Sequence, residues 1–547
     1  MLTKRKSRGV LIFIGILILI IAVWQVYKYR IINNKAEKAV KKKTKGLYTI
    51  RYGGLSLDEA SGALHVQNIE ITPDTAVYNR MVQEKSNPSV LVKATIPVLN
   101  ILGVKTPKAL LTRQIEGRIV EIAGPSIEIM LSHFNRDTTV HDPSGDISKD
   151  LLARILMVKI DSVKIIHGNV VVRNMQEKEA IFKSNDINCL LSGLLIDSIA
   201  IKDSSRVLFS RDVSVSCDEL QLPSKNRKYK LYVGQVKYTS HEDALSINSL
   251  KLTPRLSEAE FAASFPFSKD RYDFSLEDIR LLHISRKSLW RKRIEADSLV
   301  IGRSSFKVYR DLTRPPDTTS KVGKYPQQQL MRLPPPLNIR KLVFVRSFIE
   351  YKEKSAKSDS TGKLQFFDVA ATIGNVTNRR EAISRNNKCT LLFKAKLLDL
   401  TPVHARLVML LHDPKGRFSI EGNLGGIDAV SLNPLMQPMA LARMEKGHID
   451  SLHFDFNGND SACEGPLLVL YREIKISLLK KDKTEDKFNK KGLATLVANV
   501  VMKHSNPKNG ESPRTVKVHF NRIINKSFFN LIWKSIFTGI KQTAGMK

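Results

Sequence analysis

The chain has 547 residues, 42% hydrophobic and 26% charged, a balance that excludes a disordered polymer and leaves room for several domains or one repetitive body. Its formal charge of +35 admits an anionic partner. Aromatic residues make up only 7% and the basic residues are scattered, which argues against nucleic acid.

Residues 9–27, GVLIFIGILILIIAVWQVY, carry no charge and come close to the roughly 20 residues that cross a bilayer. Val10, Leu11, Ile12, Phe13, Ile14, Leu17 and Leu19 supply the apolar surface. Trp24 stands at the distal end with Tyr27 and Tyr29, where aromatic side chains anchor at an interface. A cleaved signal peptide fits less well, because the run is long for that role and AVWQVY offers no small-x-small cleavage site. The segment reads as a transmembrane signal anchor behind a basic tail, residues 1–8. Charge does not orient it. Lys4, Arg5, Lys6 and Arg8 precede the span, while Lys28, Arg30, Lys35, Lys38, Lys41, Lys42, Lys43 and Lys45 follow it. The basic segment 28–46 is either a solvated linker or a surface for anionic head groups.

From residue 47 the text becomes short β-branched and aromatic runs cut by Gly, Asn, Asp, Ser and Pro, which predicts many strands. One template, apolar-x-x-apolar-x-apolar, recurs as VQNIEI (66–71), IDSVKI (160–165), IDSIAI (196–201), INSLKL (247–252) and IRKLVF (339–344). A looser copy is IEADSLVI (294–301). Apolar residues two apart share a strand face, and the two-residue gap shifts the phase as a bulge or bend does. The longest repeat sets VKIDSVKIIHGNVVVRN (158–174) on LNIRKLVFVRSFIEYKE (337–353), and each predicts strand, turn and strand. At constant offset Val163 falls on Leu342, Ile165 on Phe344, Val170 on Ile349 and Val172 on Tyr351. These eight residues are the candidate lining of an apolar face.

DISKDLLARILM (146–157) has the periodicity of a short helix. Residues 315–336, rich in Pro and Gln, read as a linker between β-rich halves at 47–314 and 337–480. In the second half, residues 418–435, 447–460 and 463–479 read as alternating strands closed by Gly-containing turns. A polar run and tail, 481–547, end in SFFNLIWKSIFTGIK (527–541). There Phe528, Ile532, Ile536 and Ile540 form a helical stripe beside Phe529, Trp533 and Phe537, which predicts a helix capping the sheet.

Nothing in the text has the spacing of a catalytic or metal site. His448 and His453 are five apart on a predicted strand and so on opposite faces, and His167 reads as a hydrogen-bonding turn residue. Cys189, Cys217, Cys389 and Cys463 stand singly. Cys189 and Cys217 pair if their strands are adjacent, but buried free thiols fit equally well. No cofactor and no enzymatic activity are expected.

The stretch GHIDSLHFDFNGNDSACEGPLLVLYREIKISLL (447–479) resembles the carboxy-terminal pattern of the AsmA-like proteins of bacterial envelopes. The closing NKSFFNLIWKSIFTGIK (525–541) is similar to the end of Bacteroidetes-type members. The resemblance implies a cytoplasmic amino terminus, an inner-membrane anchor, a periplasmic body and kinship with bridge-like lipid-transfer proteins. The expected fold is mainly β: a transmembrane helix, then an elongated, repetitive, strongly twisted sheet groove with a few short helices and a carboxy-terminal helix. The expected partner is membrane phospholipid, carried for outer-membrane biogenesis. The alternative is a scaffold for outer-envelope proteins that works without lipid transfer.

Overall fold

The computed structural model describes residues 41, 44–58, 60–105, 114–131, 156–175, 180–223, 228–291, 293–481, 488–491 and 502–546. The expected membrane span 9–27 with its anchor residues, the basic tail, nearly all of 28–46 and residues 146–155 of the helix expected at 146–157 lie outside them, and Met157 already opens a strand. Among the described residues no helix is long and apolar enough to cross a membrane. The protein is mainly β, with 59% strand against 14% helix, and its sheet is twisted and mixed. The chain divides into two compact units, one of residues up to 225 with 231–249 and 281–293, the other of 226–230, 250–280 and 294 onward.

The first unit contains β1 (Tyr48–Arg51), β2 (Gly54–Asp58), β3 (Ala63–Pro73), β4 (Val90–Leu102), β5 (Gln114–Ala123), β6 (Ser126–Leu131), β7 (Met157–Asn174), β8 (Ala180–Ile196) and β9 (Asp212–Pro223). Strand β4 pairs antiparallel with β3, β5 and β6. Strand β7 runs parallel to β5 and β6 and antiparallel to β8, which pairs with β9. The core is aliphatic: Leu99, Val120, Ile122, Ile160, Leu194 and Ile196 are almost completely buried. Branched side chains of this size fill the space over a pleated sheet with few rotamers to lose.

The repeated template makes a phase shift in β3. Val66 and Ile69 are both buried although three residues apart, because Asn68 between them takes a φ of 50°. IIHGN, expected as a turn, is instead a bulge inside the unbroken strand β7. His167 has a φ of 55°, and the register against β8 slips between Ile165 and Gly168. The chain does not reverse there because neighbouring backbone holds both sides, Gly124 N donating to Ile166 O at 2.8 Å and Asn169 N to Pro125 O at 2.7 Å. IDSIAI is not a strand. Asp197 Oδ1 accepts from Ile199 N at 2.8 Å and Ala200 N at 2.6 Å, which turns the chain into a 3-10 helix at Ala200–Lys202.

Strands β10 (Tyr229–Thr239), β11 (Ala244–Pro254) and β12 (Asp270–Leu282) follow, and helix α1 (Glu258–Ala263) lies between the last two. The second unit continues with β13 (Ile294–Asp311), β14 (Leu337–Lys354), β15 (Thr361–Thr377), β16 (Lys388–Leu397), β17 (Thr401–Leu410) and β18 (Phe418–Leu424). Then come β19 (Ile427–Asp428), helix α2 (Asn433–Ala440), β20 (Ala442–Gly458), β21 (Ala462–Lys481), β22 (Phe488–Lys490), β23 (Thr515–Asn521) and helix α3 (Phe528–Thr543). Of residues 418–435, expected as strand, 429–435 therefore turn helical. Pairing is antiparallel from β14 to β18 and between β18, β20, β21 and β23, whereas β13 and β14 are parallel.

The sequence repeat extends to the strand that runs parallel to each copy. Val120 faces Val163 as Leu299 faces Leu342, with 299 − 120 and 342 − 163 both equal to 179. Ile127 faces Val170 as Phe306 faces Ile349, at the same offset. The unit repeated is a parallel strand pair, and each copy is followed by a bulged antiparallel partner.

Residues 315–336 lie inside the second unit. Tyr325 is fully buried, and its hydroxyl donates to Asn459 O at 2.9 Å. Gln327 Nε2 donates to Gly416 O at 3.0 Å. The Arg522 guanidinium pairs with Asp460, donates to Lys321 O at 2.6 Å and lies 4.3 Å over the Tyr325 ring. The segment's six prolines offer no N–H to a ladder, and these side-chain contacts hold it in place.

Helix α3 caps this unit's core. It buries Phe528, Leu531, Ile532, Ser535, Gly539 and Thr543, so its contact face is rotated from the expected stripe, of which Ile536 and Ile540 are half-buried. Gly539 decides the rotation, since a Cβ there would stand 2.8 Å from both Leu467 and Val518.

Candidate functional site

The eight residues singled out by the repeat fall in two different environments. Val163, Val170 and Val172 are each 2% exposed in closed aliphatic clusters, and Ile165 packs against the first of these. That copy is closed at its three valines, while Ile165 is half-buried. Leu342, Phe344, Ile349 and Tyr351 are only half-buried, although their strand has the same pairing and the same offset. Larger side chains have replaced those that close the core in the first copy.

Three strands of the second unit carry this half-buried face. On β12 alternate residues are Asp270, Tyr272 and Phe274; on β13 they are Arg310, Val308 and Phe306; on β14 they are Glu353, Tyr351 and Ile349. The β13–β14 register sets Phe306 beside Ile349, Val308 beside Tyr351 and Arg310 beside Glu353. Ring centroids of Phe274 and Phe306 are 5.4 Å apart, and those of Phe306 and Phe344 are 5.8 Å apart, both edge to face. The aromatic surface continues in Phe366 of β15, opposite Ile349, and Phe393 of β16, 5.9 Å from Phe366. The face thus grades along the strands from a charged row through tyrosines to phenylalanines.

At its charged end Arg310 Nη1 is 3.3 Å from Asp270 Oδ1, and Lys321 Nζ is 4.0 Å from Asp270 Oδ2. Tyr351 Oη donates to Glu353 Oε2 at 2.5 Å, and burial together with that carboxylate pushes its phenol well above the usual range. Arg310 Nε donates to Ser268 Oγ at 3.0 Å. Lys526, just before α3, stands among Arg310, Lys321, Glu353 and Asp270. Burial first, then the neighbouring Arg310, hold its ammonium below the ordinary lysine value. On β15, Gly362 opposite Glu353 leaves room for α2, because a Cβ there would stand 2.5 Å from Met439.

Where bulges bend β14 and β15, a cavity of about 310 Å³ opens, lined by Ser304, Ser347, Arg303 and Arg346 together with the rings of Phe348 and Phe367. The Oγ atoms of Ser304 and Ser347 are 2.5 Å apart and satisfy each other. His167 binds Asp186 through Nδ1 at 2.5 Å on an exposed bulge. His448 faces Arg472, and His453 is exposed opposite Asn423 and Leu468. Among the described residues no three His, Cys, Asp or Glu side chains gather as metal ligands. Cys189 and Cys217 do lie on adjacent strands, yet all four cysteines are free thiols.

The charged row escaped the sequence reading, although its signal was present in D-R-Y-D-F, F-K-V-Y-R and I-E-Y-K-E, where every second residue steps between aromatic or apolar and charged. No family model matches the chain, and no curated protein matches it.

Proposed function

We propose that the protein is a non-enzymatic lipid carrier, holding phospholipid acyl chains on the half-buried face of its second unit. In this reading the face is one wall of an apolar groove. The apolar segment 9–27 anchors the chain in the inner membrane, the body lies in the periplasm, and the lipid serves outer-membrane assembly. The observation that carries the reading is the contrast between two copies of one strand pair. Where the first copy buries Val163, Val170 and Val172, the second presents their counterparts Leu342, Ile349 and Tyr351 half-buried, beside the rings of Phe306 and Phe344. Apolar surface of this kind stabilises a bound acyl chain by about 0.8 kcal/mol per CH₂ removed from water.

The test uses the full chain in cells, with a benzophenone amino acid in place of Phe344 and, as control, in place of Val345, which is 56% exposed on the opposite side of β14. Ultraviolet light should join acetate-labelled lipid to position 344 and leave position 345 unlabelled. Equal labelling at both sites, or none at either, refutes the reading. A protein adduct at 344 in place of lipid would favour the scaffold for outer-envelope proteins.

A further inference from the structure

The charged row at the end of the aromatic face has no counterpart in the first copy. At the shared offset, Arg310 and Glu353 stand where Leu131 and Asn174 stand in the first unit, since 310 − 131 and 353 − 174 both equal 179. A leucine beside an asparagine has become an arginine beside a glutamate at the boundary of an apolar surface. Ionic groups in such a place are costly to bury unless something compensates them.

The local charges do not cancel. Asp270 is shared between Arg310 at 3.3 Å and Lys321 at 4.0 Å, and Glu353 accepts from Tyr351 at 2.5 Å. Lys526 completes the group and, among the described residues, makes no ion pair within 4.0 Å. Three cations therefore meet two carboxylates. Lys321 N donates to Ile524 O at 2.7 Å, and Asn525 Nδ2 to Asp317 O at 2.9 Å, so the loop that carries Lys526 is fixed in position. Ser527 caps α3, which places Lys526 one residue before the positive end of a 16-residue helix.

We propose that Lys526, with Arg310 and Lys321, forms a phosphate site that takes the head group of a lipid whose acyl chains lie along Tyr351, Phe306 and Phe344. This rests on the phospholipid-carrying reading and adds to it the residues that hold the head group. A phosphate oxygen would accept from the Lys526 ammonium, replace its missing anion and leave the Asp270 and Glu353 pairs in place. The two carboxylates repel an anion, so the lysine is the residue on which binding turns.

The test keeps the full chain and the benzophenone at Phe344, and labels cells in parallel with radioactive acetate, which reports every lipid, and radioactive phosphate, which reports phospholipid alone. The expected result is both labels in the parent, about a tenfold fall in trapped phospholipid in Lys526→Gln, the size of one charge-assisted contact, and recovery in Lys526→Arg. A phosphate label indifferent to Lys526→Gln overturns the head-group site and leaves the phospholipid reading standing, whereas acetate label without phosphate label overturns both and leaves a carrier of phosphate-free lipid. Absence of both labels removes the lipid reading itself. Titration of the purified full chain with inorganic phosphate, followed by phosphorus NMR, separates the sources. Saturable binding that disappears in Lys526→Gln would assign the site to soluble phosphate and overturn the lipid assignment.

Discussion

Placing one carboxylate in each of the two copies, at Val163 in the first and at Phe344 in the second, separates a closed core from an open face. Val163→Asp removes a side chain that is 2% exposed and packed among Val120, Ile160 and Leu191. The lost apolar burial costs about 1.5–3 kcal/mol, and a carboxylate with no partner in that cluster costs several kcal/mol more, whether it stays charged or takes up a proton. The sum, above about 5 kcal/mol, rivals the whole stability of an ordinary domain. Phe344→Asp acts on a half-buried residue whose edge-to-face contact with Phe306, at 5.8 Å, contributes about 0.5–1.5 kcal/mol. Water reaches the new carboxylate there, and the expected loss stays near 2 kcal/mol. Limited proteolysis with mass spectrometry should show Val163→Asp cleaved throughout 156–223, while Phe344→Asp keeps the parent pattern and loses its lipid. Equal protection of the two variants would refute the claim that the copies differ in closure.

Three further outcomes follow from the second unit. Arg522→Met should cost about 3–5 kcal/mol in denaturant unfolding, because it strands Asp460, whose side chain is 11% exposed, and releases Tyr325 and Lys321. Asp317 is held well below the usual carboxylate range by Lys269 Nζ at 2.7 Å and by Thr319, so its contribution is complete above the unfolded value near 3.8 and fades as pH falls below it. Asp317→Asn should therefore lower the midpoint at pH 7 and flatten the acid side of the stability profile. Burial pushes the Cys389 and Cys463 thiols up to about 11, and a disulfide reagent at pH 8 should label them rapidly only after unfolding.

How far the sequence could be read depended on how each signal was encoded. Strand content, the carboxy-terminal hairpin at 442–481 and a capping helix near 528–543 were legible, because period-two and helical patterns report which side of an element is apolar. The rotation of α3 was not legible, because hydropathy ranks Ile536 and Ile540 above Gly539, while the close approach to Leu467 needs the residue with no side chain. The function of 315–336 was also hidden. Proline and glutamine usually mark a tether, and only the distant partners Gly416, Asn459 and Arg522 make this one part of a core.

The repeat was half visible for a related reason. Residues 158–174 and 337–353 are each one uninterrupted strand, so their apolar letters align directly. Their parallel partners do not look alike, since Gly124 and Pro125 split the first into β5 and β6, whereas β13 runs through from Ile294 to Asp311. The charged row was lost with that partner. A strand that ends in Arg or Glu ordinarily ends in solvent, and Glu353 read alone gives no reason to think otherwise. Only the parallel register brings Arg310 beside it, and only Arg310 brings Asp270. Once the three strands are side by side, the same alternation that makes the face apolar for two rows makes its third row ionic. The boundary between those rows is where the polar and apolar ends of a lipid would both be satisfied.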